Sequence, residues 1–314
     1  MNELARQRER AQALDVTCVV VAYHRIDGLA PMVARLVASG LHVVVVNVEA
    51  DVEVRAVAER NGARVVDLPG NPGYATAVNY GVEESTTELV VFMNDDARIE
   101  ADAVRRLAAV VASGAADVAV PRVVDLSGAL ERTIAAVPSV GTLTREWLLL
   151  PDEPVAALDG RLPVEKWRAP EAPERIDAAA AVVVATTRAL VAEVPIPEDY
   201  FLYWEESEWF WQLRDRDAVV EYRPEVERVH AGGREDIRRQ KSRLLARNAV
   251  RCVRKTQGTR SAFAAWGVVM AWNLRLVAVD FLRACVRPTP SRWRRVDARW
   301  AGFATACGSW RELR

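Results

Sequence analysis

Asn94-Asp95-Asp96 sets two adjacent carboxylates behind an amide, at the end of the apolar run Leu89-Val90-Val91-Phe92-Met93. Ionised side by side, such a pair repels itself. A hard divalent cation, with its preference for oxygen ligands, relieves that repulsion. The same three residue types also suit a turn followed by a helix cap. A second acidic group, Glu205, Glu206 and Glu208, is embedded in the aromatic stretch from Tyr200 to Trp211. On a helix beginning near Trp204, Glu206 is in register with Trp209, Phe210 and Leu213. Desolvation on that face raises a carboxyl's pKa and suits it to take a proton from a hydroxyl. Glu205 and Glu208 fall off the stripe, where acids complement the positive end of a helix. Among the three histidines, His24, His42 and His230, the last is the functional candidate. It stands at a strand end, and Gly232 and Gly233 just beyond it allow close approach.

These groups need elements to hold them. Thr17 to Ala22, His42 to Asn47, Arg64 to Leu68 and Glu88 to Met93 are Val-rich runs of strand length. Leu29 to Ser39, Asp51 to Arg60 and Gly73 to Glu84 have helical spacing between them. Strands alternating with helices, each strand a near-continuous apolar run, predict an α/β fold with a mostly parallel sheet wrapped by helices. Tyr23, Asn47, Asn71 with Gly73, and Asn94 to Asp96 then share one edge of the sheet, beyond the carboxyl ends of its strands. Ligands bind at that edge in open parallel sheets. In Asn71-Pro72-Gly73-Tyr74-Ala75-Thr76-Ala77-Val78-Asn79-Tyr80-Gly81, small residues open the helix start to close approach, and its first amides can meet negative charge. Asn79 shares a face with Ala75 and Thr76. A Pro-Gly turn leading into a packing helix fits the same residues. Farther on, Asp117 to Pro121 reads as a strand, Arg122 to Glu174 as a loop-rich insertion and Ile176 to Thr186 as a buried strand. Val219 to Tyr222 and Val226 to Val229 read as two short strands.

The chain has 314 residues and a net charge of −1, so no global basic field points to nucleic acid as a partner. Cys18, Cys252, Cys285 and Cys307 form no CxxC pair, which argues against a zinc site or a disulfide framework and suits a reducing cytoplasm. The polar start, Met1 to Arg10, has no signal-peptide core. The sequence predicts no transmembrane helix. The cytoplasm is the expected location, with the inner face of a membrane as a peripheral site. After Arg234 arginine accumulates. Phe263 to Cys285 is apolar with charged interruptions, and Trp293, Trp300 and Trp310 follow among arginines. That pattern fits a membrane surface and equally a helix packed on the rest of the protein.

Taken together, these pieces resemble the family 2 glycosyltransferases, inverting enzymes of GT-A fold that use nucleotide-sugar donors. Tyr23-His24-Arg25 is similar to the family's Tyr-Asn-Arg, and Asn71 to Gly81 to its Asn-x-Gly-x-x-x-Ala-x-Asn-x-Gly. Asn94-Asp95-Asp96 stands where its metal motif belongs. Asp199 to Glu208 resembles its aromatic-acid block, in a Trp-acid-acid-x-Glu form closest to the rhamnosyl- and galactofuranosyltransferase branch. The resemblance implies a tail over 1–14, a GT-A catalytic domain over 15–233 and a basic helical region over 234–314. It implies Mn2+ or Mg2+ held by Asp96 and His230. On the nucleotide-sugar side it places Tyr23, Asn47, Glu49, Asn71, Gly73, Asn79, Asn94 and Asp95. Glu206 becomes the base, with Trp204, Glu205 and Glu208 on the acceptor side. The acceptor it implies is a glycan or lipid-linked hydroxyl.

Three positions depart from the family pattern. Asn47-Val48-Glu49-Ala50-Asp51 replaces Asp-Asn-x-Ser-x-Asp, which leaves the nucleotide base open. Alanine stands for a glycine in Ala178 to Ala181, and Asn94 heads the metal motif in place of aspartate. A metal-dependent nucleotidyltransferase would also want paired carboxylates beyond a parallel sheet, although it has no use for Glu206 among aromatics. A non-catalytic protein on the same fold is the third reading.

Overall fold

The computed structural model describes residues 14–149, 165, 168–230 and 238–313. Residues 1–13, most of the second half of the insertion, and Ala231-Gly232-Gly233 lie outside the described residues. The Val-rich runs form β1 (Val16–Ala22), β2 (His42–Val48), β3 (Arg64–Leu68) and β4 (Leu89–Asn94). Between and after them come α1 (Leu29–Ala38), α2 (Val52–Arg60), α3 (Tyr74–Glu83), β5 (Ala97–Arg98) and α4 (Ala101–Ala112). Then follow β6 (Val118–Asp125), β7 (Leu130–Glu131), β8 (Ile134–Ala135), α5 (Val140–Leu143) and a π-helical turn over Thr144–Leu149. The remaining elements are β9 (Glu174–Arg175), β10 (Ala178–Ala179), β11 (Val183–Thr187), α6 (Arg188–Glu193), α7 (Glu205–Arg214), β12 (Val220–His230), α8 (Arg238–Val286) and α9 (Pro290–Gly308).

One ten-stranded sheet runs in the order β3-β2-β1-β4-β11-β6-β12-β5, with β7 beside β6 and β9 beside β12. β3, β2, β1 and β4 are parallel to one another, as are β6 and β12, while β11 runs antiparallel between β4 and β6. The period-two pattern of β1 decides which core each residue enters. Cys18, Val20 and Ala22 face the core shared with α1 and α4, and Val19 and Val21 face the core shared with α3 and α7. α3 rides close on the sheet: a Cβ on Gly81 would stand 2.4 Å from a Val19 methyl carbon.

Two strand expectations need correction. The two short strands expected within Val219 to Val229 are one bulged strand, β12 (Val220–His230), with its register shifted between Arg223 and Glu227. Pro224, which cannot donate to a ladder, falls in that break. Ile176 to Thr186 divides into β10 and β11, because Ala180 and Val182 bond locally between them. The C-terminal region is helical, as expected, and packs one face on the sheet domain. Ala246, Ala249, Val250 and Val253 of α8 share a third core with Leu143, Tyr200 and Trp204. The expectation about membrane-crossing length also needs correction. α8 is broken by a kink at Gly258, where φ is +81, and by length and composition it is apolar enough to cross a membrane, a test that the core helix of a soluble protein also passes. Arg275 and Asp280 interrupt the run in sequence without shortening the helix.

Candidate functional site

β4 ends at Asn94, and its carboxylates are placed by the ends of β1 and β12. The backbone N–H of Tyr23 donates to Asp95 Oδ2 at 3.1 Å. Arg25 Nη1 donates to Asp96 Oδ2 at 2.9 Å. Asp96 is 8% exposed. On its far side β5 pairs with β12, matching His230 to Ala97. The main chain therefore brings His230 next to Asp96; the side chain of His230 is outside the described part. The donor set of two consecutive carboxylates and a neighbouring histidine fits a divalent cation in its chemistry. Asp96 and His230 are the residues that would hold it, with Asp95 alongside. Among the described residues, no three His, Cys, Asp or Glu side chains stand together as a ligand group.

The β2 end forms a second wall. Asn47 is fully buried, and its amide group is engaged within the protein. Nδ2 donates to Asp67 Oδ1 at 2.8 Å and to the Asp51 carbonyl at 2.9 Å, and Oδ1 accepts from Asp51 N. It shapes the loop that carries Glu49. Glu49 bridges to His24 at 2.7 Å, and His24 also bonds Asp51. These bonds, to Asp51 first and Glu49 second, raise the His24 pKa. His24, Glu49 and Ala50 all have positive φ, as do Tyr203 and Trp204. Outside glycine such backbone is uncommon and clusters at functional sites. Here five of the six instances among the described residues border this edge of the sheet, Asp217 being the sixth.

The start of α3 supplies the floor. Asn71 Oδ1 accepts from Gly73 N at 3.1 Å. Gly73 has φ +101, and a Cβ there would lie 2.4 Å from the Phe201 carbonyl oxygen. That carbonyl accepts from Tyr74 N, so the glycine lets α3 dock against the segment leading to α7. Asn79 ties the same segment lower down. Its Nδ2 donates to the Ile196 carbonyl and to Glu198 Oε1, and its Oδ1 accepts from Ile196 N. The amides of Asn47 and Asn79 thus brace the pocket wall from within the protein.

α7 begins one residue later than the sequence spacing suggests, with Trp204 as its left-handed cap. Glu206 lies in its first turn. It is half-buried, its Oε2 is shielded without a hydrogen-bond partner among the described residues, and burial raises its pKa. The expectation that Glu205 and Glu208 lie away from the interior needs correction, since both are more buried than Glu206. α7 packs on the sheet through Trp209, Phe210 and Leu213, and Glu208 meets Lys255 of α8. Glu208 is fully engaged there: it accepts from Tyr200 OH at 2.6 Å and from Gln212, and pairs with Lys255 at 2.7 Å. Glu205, 3% exposed, has its pKa pushed well above the carboxylate range by burial and then by the charge of Glu206. Burial raises the pKa of both carboxyls of this adjacent pair, which disfavours ionising both at once. Trp204 is buried against Trp147, ring centroids 5.4 Å apart, and Trp147 leans on Trp272 of α8.

Two residues that motif reading passes over join the halves. Tyr74, with its OH donating to the Ala181 carbonyl at 3.1 Å, is half-buried. Its hydroxyl lies within electrostatic reach of Glu205, Glu206, Arg228 and Asp96; burial and then those acids raise its pKa. Arg228 is buried on β12, and desolvation lowers its pKa to about 10, leaving it charged at neutral pH. A signal for it exists in the sequence, since Val226, Arg228 and His230 alternate onto one face of a strand.

The resulting edge has carboxylates beyond a strand end and two desolvated acids at the start of α7, with α3 docked at Gly73 against the segment that leads to α7. Its fold is shared with solved structures at low identity. A mannosyltransferase from Pyrobaculum calidifontis in complex with GDP-Man and Mn2+ aligns with TM-score 0.53 and 13% identity, covering 98% of this chain and 94% of that one. Glucosyl-3-phosphoglycerate synthase from Mycobacterium tuberculosis in complex with Mg2+ and UDP aligns with TM-score 0.54 and 14% identity, covering 82% and 84%. This architecture is the GT-A fold, a mixed sheet of mostly parallel strands flanked by helices. Uncharacterized glycosyltransferases of Mycobacterium tuberculosis and Mycobacterium bovis are each 31% identical over 139 residues, 43% of this chain and 59% of theirs. The chain thus spans about three fifths of the length of these curated relatives. Over residues 17–139, the stretch that carries every site residue from Tyr23 to Asp96, the chain matches the family model described as glycosyl transferase family 2.

Proposed function

We propose that this protein is an inverting glycosyltransferase. It moves a hexosyl unit from a nucleoside-diphosphate sugar to a hydroxyl of a glycan or lipid-linked acceptor, with Mn2+ or Mg2+ as cofactor. The observation that carries the reading is the placement of Asp95 and Asp96 just beyond β4, held by Tyr23 N and Arg25, with the acids Glu205 and Glu206 set in the first turn of a separate element, α7. In-line displacement with inversion needs that separation of roles. A charge-stabilising group must face the leaving diphosphate, and a base on another element must face the acceptor.

A cation bound at Asp96 and His230 would neutralise charge developing on the leaving diphosphate. Asp95 and Asn94 border the ribose and diphosphate, while exposed Tyr23 and the Glu49 loop line the nucleotide's entry. Asn47, Asn71, Gly73 and Asn79 set the shape of that pocket. Glu206, desolvated at the start of α7, takes the proton from the acceptor hydroxyl as that oxygen attacks the sugar carbon. The hexosyl class follows the likeness of Trp204 to Glu208 to rhamnosyl- and galactofuranosyltransferases. The setting we place at the cytoplasmic face of a membrane, reached through the C-terminal helices.

A thermal-shift panel of nucleotide sugars with and without Mn2+ tests the reading, because ligand bound to the folded state raises its stability. One donor is expected to raise the melting temperature more with Mn2+ than without, and Asp96→Ala to abolish that increment. An increment that survives in Asp96→Ala would remove the metal from this site.

A further inference from the structure

Arg228 is 1% exposed, and none of its three guanidinium nitrogens has a hydrogen-bond partner among the described residues. Other arginines of the protein show how unusual this is. Arg25 bonds Asp96, Arg55 bonds Asp67, and Arg223 bonds Glu221 and Glu225. A buried charge left without hydrogen bonds is strongly disfavoured, so the fork of Arg228 is built for a partner that the polypeptide does not supply. Asp96 and Glu131 are close enough to be felt as charges, yet neither meets the guanidinium in a hydrogen bond. The position narrows what the partner is. Arg228 is two residues from His230 on β12, and Val123, its neighbour across β6, is paired in turn with Glu131. It therefore flanks the Asp96 end of the edge. A planar guanidinium fork matches the oxygens of a phosphate in two parallel hydrogen bonds.

We propose that Arg228 binds the terminal phosphate of the donor's diphosphate, as a fixed positive partner that acts in addition to the cation at Asp96. This rests on the transferase reading and deepens it. As transfer proceeds, the acceptor oxygen gives its proton to Glu206 and bonds the sugar carbon. The bond from that carbon to the phosphate oxygen breaks, and its electron pair stays on the phosphate. The terminal phosphate thus gains negative charge where Arg228 waits, in a site shielded from water, and an oriented charge there needs no reorganisation. No chelator removes this partner.

Calorimetric titration of the full chain with UDP, GDP, dTDP, ADP and CDP, and with each matching monophosphate, tests the assignment in Mn2+ and in EDTA. In the wild type one diphosphate is expected to bind more tightly than its monophosphate even in EDTA. Arg228→Met keeps the volume and removes the charge. It is expected to weaken diphosphate binding by about 10- to 100-fold in both conditions, the range for charge-assisted hydrogen bonds, and to leave monophosphate binding within about twofold. The melting temperature of ligand-free Arg228→Met is expected to be unchanged or higher, because an unpartnered buried charge has been removed. Arg228→Lys, which retains charge without the fork, is expected to fall between and serves if the methionine variant does not fold. A lowered melting temperature with an unchanged preference for diphosphate would overturn the proposal and make Arg228 structural. Diphosphate binding unaltered in both variants would overturn it while leaving the transferase reading intact. A wild type that binds none of the nucleotides would overturn both.

Discussion

At the scale of single residues the proposed mechanism turns on the acid pair on α7. Glu206→Gln keeps the shape and hydrogen-bonding capacity and removes the base. Turnover should fall by about 10²–10⁴, the usual contribution of a positioned general base, with donor affinity nearly unchanged. Glu205→Gln should be milder. Glu208→Gln should act mainly on stability, through Tyr200 and Lys255. The pH dependence has a definite sign. Glu206 works ionised and burial raises its pKa, so activity is lost as pH falls through that raised value. The acid limb of the kcat/KM profile should lie above the ordinary glutamate range, near pH 4.3. A limb at or below that range would mean that another group is the base. The position of Asp95 and Asp96 beyond a buried strand, and of Glu206 at the start of an aromatic helix, was legible in the sequence because apolar runs and helical spacing report burial directly. Arg228 and Tyr74 were not, since nothing in a linear string shows that a guanidinium will lack a partner.

At the scale of elements, the site depends on α3 holding the segment that leads into α7. Gly73 and Gly128 both have positive φ, but only at Gly73 would a Cβ meet protein, at the Phe201 carbonyl. Gly73→Ala should therefore destabilise by about 1–3 kcal/mol, and more than Gly128→Ala, as read from urea unfolding midpoints. Equal costs would mean that α3 and the Phe201 segment are not in contact. Asn79→Ala breaks three hydrogen bonds to Ile196 and Glu198. It should cost about 1–3 kcal/mol, the range for leaving buried backbone groups unsatisfied, and lower kcat as the α7 acids lose their support. The sequence located the helices and the parallel strands well, because Val runs and helical spacing report burial directly. It placed Asn79 beside a ligand, when the structure spends that amide on Ile196. A polar residue on an inner helix face looks the same whether it meets substrate or backbone. β12 looked like two strands because Pro224 interrupts a pattern that a bulge carries through.

At the scale of the whole molecule, the C-terminal helices were legible as helices and as amphipathic, but not as to which face goes where. One face of α8 closes over Tyr200 and Trp204. Phe281, Leu282 and Val286 at the end of α8, and Trp293 on α9, remain exposed among Arg283, Arg287, Arg294 and Arg295. Apolar and aromatic side chains ringed by arginine suit an anionic membrane surface. The protein should sediment with anionic vesicles at low salt and be released as salt rises. Replacing Phe281, Leu282 and Trp293 by serine should abolish sedimentation, and undiminished binding by that variant would place the contact elsewhere. The most direct test of the central claim is the product released when donor is turned over. With nucleotide sugars, Mn2+ and a lipid-linked or glycan acceptor, the wild type should release nucleoside diphosphate in step with sugar transferred, and Glu206→Gln should bind the same donor but release almost none. Release of pyrophosphate from a nucleoside triphosphate, with no diphosphate from any nucleotide sugar, would contradict the transferase account.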